Sequence, residues 1–301
     1  HHEYRLILAD YQRLQQQGIF TVRSGIHWPG IETRPYCYDF SSVRPVLQAA
    51  QATKMQVIWD ICHFGWPDDL DIFAPEFIQR LRRFAAAFAW LLLNETEEQP
   101  FLVPINEISF FAWAGGDRGI LNPFQRRRGP ELKMQLVKAS IEAIEAIWEV
   151  LPQARIVQVE PVIHIATNPK FRRQQEQTER YRLAQYEVWD MLAGRLFPHL
   201  GGQEKYLDII GVNYYSKNQW LHKGSHLAPG DLFYKPFRNI LREVYLRYRR
   251  PLFVSETGAE DEARPNWFRY VCEEVYAALQ KGIPVEGICL YPILNHPGWD
   301  D

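Results

Sequence analysis

The chain has 301 residues, 47% hydrophobic and 14% aromatic, which excludes disorder and supplies apolar surface for one large core or two small ones. Lys and Arg total 34 against 36 Asp and Glu, a formal net charge of −2, so the balance excludes a strongly basic nucleic-acid binder and gives no reason to expect a membrane partner. No apolar run approaches the roughly 18 residues of a membrane span.

Cys37, Cys62, Cys272 and Cys289 form neither CxxC nor a zinc spacing, so no metal or other cofactor is expected. Cys62 and Cys289 lie in apolar runs and read as small buried hydrophobes. This cysteine usage and the lack of a visible signal peptide suit a reducing, cytoplasmic setting.

Apolar residues at helical spacing predict a helix from Tyr4 to Gln17, stopped by Gly18, and then a strand over Ile19–Gly25. Ser41-Ser42 reads as the cap of a helix running to Thr53. A strand over Met55–Ile61 leads into Cys62-His63-Phe64-Gly65-Trp66-Pro67, and Pro75 opens a helix to about Asn94. The next apolar run, Phe101-Leu102-Val103, leads to Asn106-Glu107 and then to Phe110, Phe111 and Trp113. Ala114–Gly129 reads as a long Gly-rich loop, and its basic run Arg126-Arg127-Arg128 as a solvated face. Helix and strand then alternate: helices over Glu131–Val150, Thr178–Leu196, Pro236–Arg249 and Pro265–Leu279, strands over Arg155–Glu160, Tyr206–Tyr215, 252–256 and Glu286–Tyr291.

Strict alternation without a break in composition predicts parallel strands joined by helical crossovers in one domain over residues 1–301. An open nucleotide-binding sheet would carry a Gly-rich turn after its first strand, and the sequence contains neither G-x-G-x-x-G nor G-x-x-x-x-G-K-[ST]. In a closed (β/α)8 TIM barrel the functional residues gather at the C-terminal ends of several strands. Arg23, His63, Asn106, Glu107, Glu160, Asn213, Tyr215 and Glu256 all fall there, which favours the barrel. Tyr214 and Tyr215 alternate faces, so one points inward and the other packs.

Buried strands seldom end in carboxylates unless these are paired or used. Glu107 closes one such run, and Glu256 closes Pro251-Leu252-Phe253-Val254-Ser255-Glu256. Cleaving a glycosidic bond takes one carboxylic acid for the leaving oxygen and one carboxylate at the anomeric carbon. The bland alternative is two unrelated carboxylates, each satisfied by a nearby Arg or Tyr. Likewise, a lone His63 is more often a satisfied structural histidine, and Trp28, Trp66, Trp113 and Trp220 suit packing at least as well as sugar stacking.

Four stretches, PINE at 104–107, VSETG at 254–258, IGVNYYS at 210–216 and HFGWP at 63–67, together resemble glycoside hydrolase family one, in the clan of retaining (β/α)8 glycosidases. The resemblance runs from Arg23 to Trp299. It implies a β-glucosidase-like retaining hydrolase acting on a carbohydrate substrate. Glu107 would be the general acid/base and Glu256 the nucleophile. Asn106 would hold the sugar 2-hydroxyl, His63 another hydroxyl, and Arg23 and Tyr215 would flank the nucleophile. Asn213 and Trp299 join the substrate-binding set, Trp299 as part of the sugar platform. Ile108 stands where the family usually has proline, SETG where it usually has TENG, and the chain is compact. If Arg23 lies on the family's second strand, strand one is missing, and seven strands are expected. Two other readings compete: a barrel that binds carbohydrate without turning it over, and a barrel enzyme acting on phosphorylated sugars.

Overall fold

A computed structural model of the chain describes residues 2–167 and 172–294. Seven parallel strands form the main sheet: β1 (Thr21–Gly25), β2 (Gln56–Cys62), β3 (Phe101–Ile105), β4 (Arg155–Pro161), β5 (Ile209–Asn213), β6 (Leu252–Thr257) and β7 (Val285–Leu290). Their order in the sheet is their order in the sequence, with β1 and β7 at its ends. This is the topology of a (β/α)8 barrel one strand short, as the strand count from sequence anticipated. Helix α1 (His2–Gln16) precedes β1, and between the strands lie α2 (Arg44–Thr53), α3 (Pro75–Glu95), α4 (Gly129–Val150), α5 (Arg172–Leu183), α6 (Glu187–Leu192), α7 (Phe237–Tyr248) and α8 (Ala263–Leu279).

The chain forms two compact units. One comprises the residues up to Gln158 together with Val188–Asp208, the other Val159–Glu187 together with the residues from Ile209 on.

In the first unit β1, β2 and β3 pair in parallel, Arg23 opposite Ile58 and Cys62 opposite Ile105. The apolar stripe of α3 (Phe77, Leu81, Phe84, Phe88 and Leu92) recurs every three or four residues and is wholly buried. Trp28 stacks on Phe84 at 5.2 Å, which makes it core rather than a sugar platform. Burying each such ring contributes about 1.5–3 kcal/mol. Beneath this layer Arg80 is buried with Glu32 (3.1 Å) and reaches Asp69 (2.8 Å). Trp66 is buried too, its indole donating to the Leu70 carbonyl.

In the second unit β5, β6 and β7 pair in parallel, with a register shift between Val254 and Glu256. A short ladder, His164–Ala166 with Gln219–Leu221, had no counterpart in the sequence reading, and Trp220 lies in it against Tyr181. A two-strand hairpin, Glu32–Arg34 with Cys37–Tyr38, was likewise unanticipated in the first unit.

Four sequence expectations are corrected. Ser41 and Ser42 do not cap α2: the Ser41 N–H is held by Asp39, and the helix starts at Arg44 with no side-chain cap. The helix expected over Thr178–Leu196 starts at Arg172 and breaks at a 3₁₀ turn, Ala184–Tyr186. There Gln185 leaves the helical surface to bond the Ile163 N–H and the Arg182 carbonyl. The loop expected from Ala114 begins as a π-helix, Ala112–Arg118. None of the four cysteines is in a disulfide, and Cys289 is half-buried rather than buried. No described helix is long and apolar enough to cross a membrane.

Candidate functional site

The strand ends of the first unit carry a closed polar network. Arg23 on β1 donates from Nε to Asp60 Oδ1 (2.9 Å) and from Nη2 to Asp60 Oδ2 (2.7 Å). The same Nη2 reaches Asn106 Oδ1 at 2.6 Å. With its oxygen taken by a guanidinium, the Asn106 amide must turn its NH₂ toward His63, and Nδ2 lies 3.1 Å from His63 Nε2. Nε2 is therefore an acceptor, so the proton of the neutral ring sits on Nδ1, 2.9 Å from Asp60 Oδ2. Three sequence-predicted residues, Arg23, His63 and Asn106, thus form one network with Asp60, which holds Arg23 and His63 while these two hold Asn106.

Asp60 was not singled out from the sequence, where it reads as one polar letter inside VIWDIC. Its side chain is 2% exposed and that of Arg23 is 5% exposed. Burial pushes the Asp60 carboxyl up, but the Arg23 charge and the bonds from His63 and Arg23 outweigh it and hold the group below the usual carboxylate range.

Glu107 follows directly. It is half-buried and its backbone is left-handed, with φ 44° and ψ 59°. A non-glycine residue pays about 1–3 kcal/mol for such backbone, which persists where surrounding structure over-determines it and clusters at functional sites. The Glu107 carbonyl accepts from the Phe111 N–H (2.8 Å), which starts the turn Ile108–Phe111. Beyond it run rings in contact: His63–Phe64 at 4.9 Å, Phe64–Phe110 at 5.8 Å and Phe110–Trp113 at 5.8 Å.

The second unit holds the other predicted carboxylate. Glu256, on β6, accepts from the Tyr215 hydroxyl at 3.0 Å. Asn213 is fully buried at the end of β5, and its amide oxygen accepts from Ser255 (2.6 Å) beside the register shift. Tyr214 turns the other way. It is wholly buried, stacked on Phe237 at 4.0 Å, and its hydroxyl meets Tyr234 at 2.7 Å and Gln219 Nε2 at 2.7 Å. Burial raises the Tyr214 hydroxyl above its ordinary range. Thr257 donates to the Tyr214 carbonyl and accepts from Trp267, holding the residue that follows Glu256. Tyr291 was also missed from the sequence: burial, then the charge of Glu256, raises its hydroxyl. A side chain at Gly258 would overlap the Tyr291 carbonyl oxygen, so glycine there is a packing requirement. Glu160 is buried at the end of β4. Trp299 lies outside the described residues.

No protein-family model matches the chain. Among curated proteins it is similar to the beta-glucosidase-like SFR2, chloroplastic, of Oryza sativa subsp. japonica, 20% identical over 97% of this chain and 50% of that protein. It is also similar to the galactolipid galactosyltransferase SFR2, chloroplastic, of Arabidopsis thaliana, 28% identical over 35% of this chain and 19% of that protein. The chain thus spans half or less of the length of these relatives. Among solved structures, the beta-glucosidase from Thermotoga maritima in complex with glucoimidazole superposes with a TM-score of 0.80 at 16% identity, over 99% of this chain and 79% of that one. A hyperthermophilic beta-glucosidase mutant gives 0.78 at 17% identity, over 96% and 79%. These likenesses show the fold, a TIM barrel of the β-glucosidase type.

Proposed function

We propose that this compact, divergent, family-one-like barrel is a retaining β-glycosidase, with residues 1–301 acting as one catalytic domain. Glu256 is the nucleophile and Glu107 the general acid/base. The observation that supports this most is the Tyr215 hydroxyl on Glu256 Oε2, at the end of a strand in a β-glucosidase-type fold. A phenol donating to that oxygen orients the carboxylate at the strand end, where it can face an anomeric carbon. Attack at the anomeric carbon forms the Glu256–glycosyl ester and breaks the bond to the leaving oxygen, which takes its proton from Glu107. Glu107 then deprotonates the incoming acceptor, whose oxygen displaces Glu256.

The network around Asp60 supplies positioning. His63 Nδ1–H is committed to Asp60, and Asn106 is oriented from both ends, so the groups offered to sugar hydroxyls are fixed in advance. Asn213, held by Ser255, acts by bracing the strand end on which Glu256 stands.

A second reading concerns the acceptor. When it is water the outcome is hydrolysis, and when it is another sugar's hydroxyl the same ester gives transfer. The relative named as a galactolipid galactosyltransferase favours including transfer.

Azide tests the assignment. Glu256→Ala should abolish turnover of aryl β-glycosides, and azide should restore it with inverted product. Glu107→Ala should slow poor leaving groups far more than activated ones, and azide should then give retained product. Equal slowing of good and poor leaving groups by Glu107→Ala would remove Glu107 from the acid role. In a crystal structure the two carboxyls should stand about 5–5.5 Å apart, the spacing for retention.

A further inference from the structure

The π-helix Ala112–Arg118 and the loop that follows it build a projecting platform. The loop folds back onto the helix by backbone alone: Ala114 O accepts from Ile120 N (2.9 Å), Gly115 O from Gln125 N (2.8 Å) and Gly116 O from Arg128 N (2.9 Å). The glycines make this approach possible. A Cβ on Gly115 would lie 2.8 Å from Asn122 O, and one on Gly116 2.9 Å from the Gly129 Cα. The loop is therefore fixed, and the side chains it turns outward stay outward. Ile120 is 57% exposed, Phe124 66% and Trp113 39%.

Around these apolar tips the charge is one-sided. Between Ala112 and Pro130 the sequence has four arginines (118, 126, 127, 128) and one acid, Asp117, so the segment carries 4 − 1 = +3 in a chain of −2. Asp117 is turned inward, accepting the Gly129 N–H at 2.7 Å. Arg128 lies on the Phe73 ring (3.5 Å) and pairs with Glu131 (2.6 Å). Arg118 sits 5.8 Å over the Trp113 ring, and Arg126 and Arg127 are exposed.

We propose that this platform docks on an anionic lipid bilayer, with Ile120, Phe124 and Trp113 entering the interface and Arg118, Arg126 and Arg127 meeting the headgroups. One exposed aliphatic and two exposed aromatic side chains on a short segment that also exposes three arginines suit the boundary between acyl chains and headgroups. A nucleic-acid base stacks on an aromatic face, and an exposed isoleucine offers none. The sign of the charge complements an anionic leaflet. The expectation of no membrane partner came from the chain's overall balance, which averages away a local +3. The docking does not depend on the catalytic assignment. Its consequence does: Glu107 begins the segment that carries the platform, so a bilayer-held glycoside would be delivered to it.

Co-sedimentation of the whole chain with sucrose-loaded vesicles tests this, comparing neutral phosphatidylcholine with a mixture containing about a third phosphatidylglycerol. Binding should require the anionic lipid and fall as salt rises. Arg126→Gln with Arg127→Gln should weaken partitioning about fivefold per arginine, and Ile120→Ser with Phe124→Ser by about tenfold or more. All these sites are exposed, so thermal melting should match the parent. No binding to either vesicle, binding that ignores lipid charge, binding unchanged in the variants, or capture by heparin or RNA but not by vesicles would each overturn the proposal.

Discussion

Asp60→Asn tests the network that ties Arg23, His63 and Asn106 together. The substitution keeps the shape and removes the charge. Arg23 then loses the carboxylate that accepts two of its N–H groups, at a site where both side chains are at most 5% exposed. Removing one partner of a buried pair costs about 3–5 kcal/mol. The Asn106 amide oxygen still accepts from Nη2, and the new amide keeps one acceptor, which places the loss near about 3 kcal/mol. Urea unfolding followed by tryptophan fluorescence measures it. The pH dependence supplies a second readout. Asp60 has its folded pKa depressed, so its stabilisation is fully present above the unfolded carboxylate value of about 3.9 and is lost as pH falls through the lower folded value. The parent should lose that increment between about pH 4 and more acid conditions, while Asp60→Asn should lack that part of the slope. A loss below about 1 kcal/mol at neutral pH, the range of exposed pairs, would refute the account, as would an unchanged acid slope.

Tyr215→Phe should lower kcat/KM about ten- to hundredfold, the worth of a hydrogen bond to a charged group, with little change in melting; unchanged kcat/KM would remove Tyr215 from the site. Gly258→Ala should destabilise by about 1–3 kcal/mol or prevent folding, because the methyl overlaps the Tyr291 carbonyl; a variant that melts with the parent would show that this approach is not tight.

What could be read from the sequence follows from where each signal lies. Glu107 and Glu256 stood out because each closes an apolar run that has no packing use for a carboxylate. The strand count followed from apolar runs separated by helical periodicity, and the structure places strands at all seven. Asp60 was illegible for the opposite reason: its main partner, Arg23, lies 37 positions upstream, and only the parallel pairing of β1 with β2 brings the two together. The break in the α5–α6 stretch was hidden too, since Gln185 is a good helix former and leaves the helix only for a backbone donor 22 residues away. The early start of α5, in RRQQEQTER, carries no apolar period to mark it. The π-helix escaped because Gly115-Gly116 reads as a loop unless the returning chain is known.

The departure from the family pattern at position 108 has a backbone correlate. In family one the residue after the acid/base glutamate is usually proline, and proline pushes its predecessor toward extended backbone. Here Ile108 is fully buried and opens a helical turn, and Glu107 before it is left-handed. A β-branched residue at 108 leaves that conformation open to Glu107, and its burial helps hold it there. The chain then leaves the strand into Ile108–Phe111 and runs on directly into the π-helix. The altered motif residue and the segment after it are continuous in the chain. That segment begins at the candidate acid/base and ends at the arginine-bearing loop, while Arg23, Asp60, His63 and Asn106 hold one another by side-chain hydrogen bonds at the ends of β1, β2 and β3.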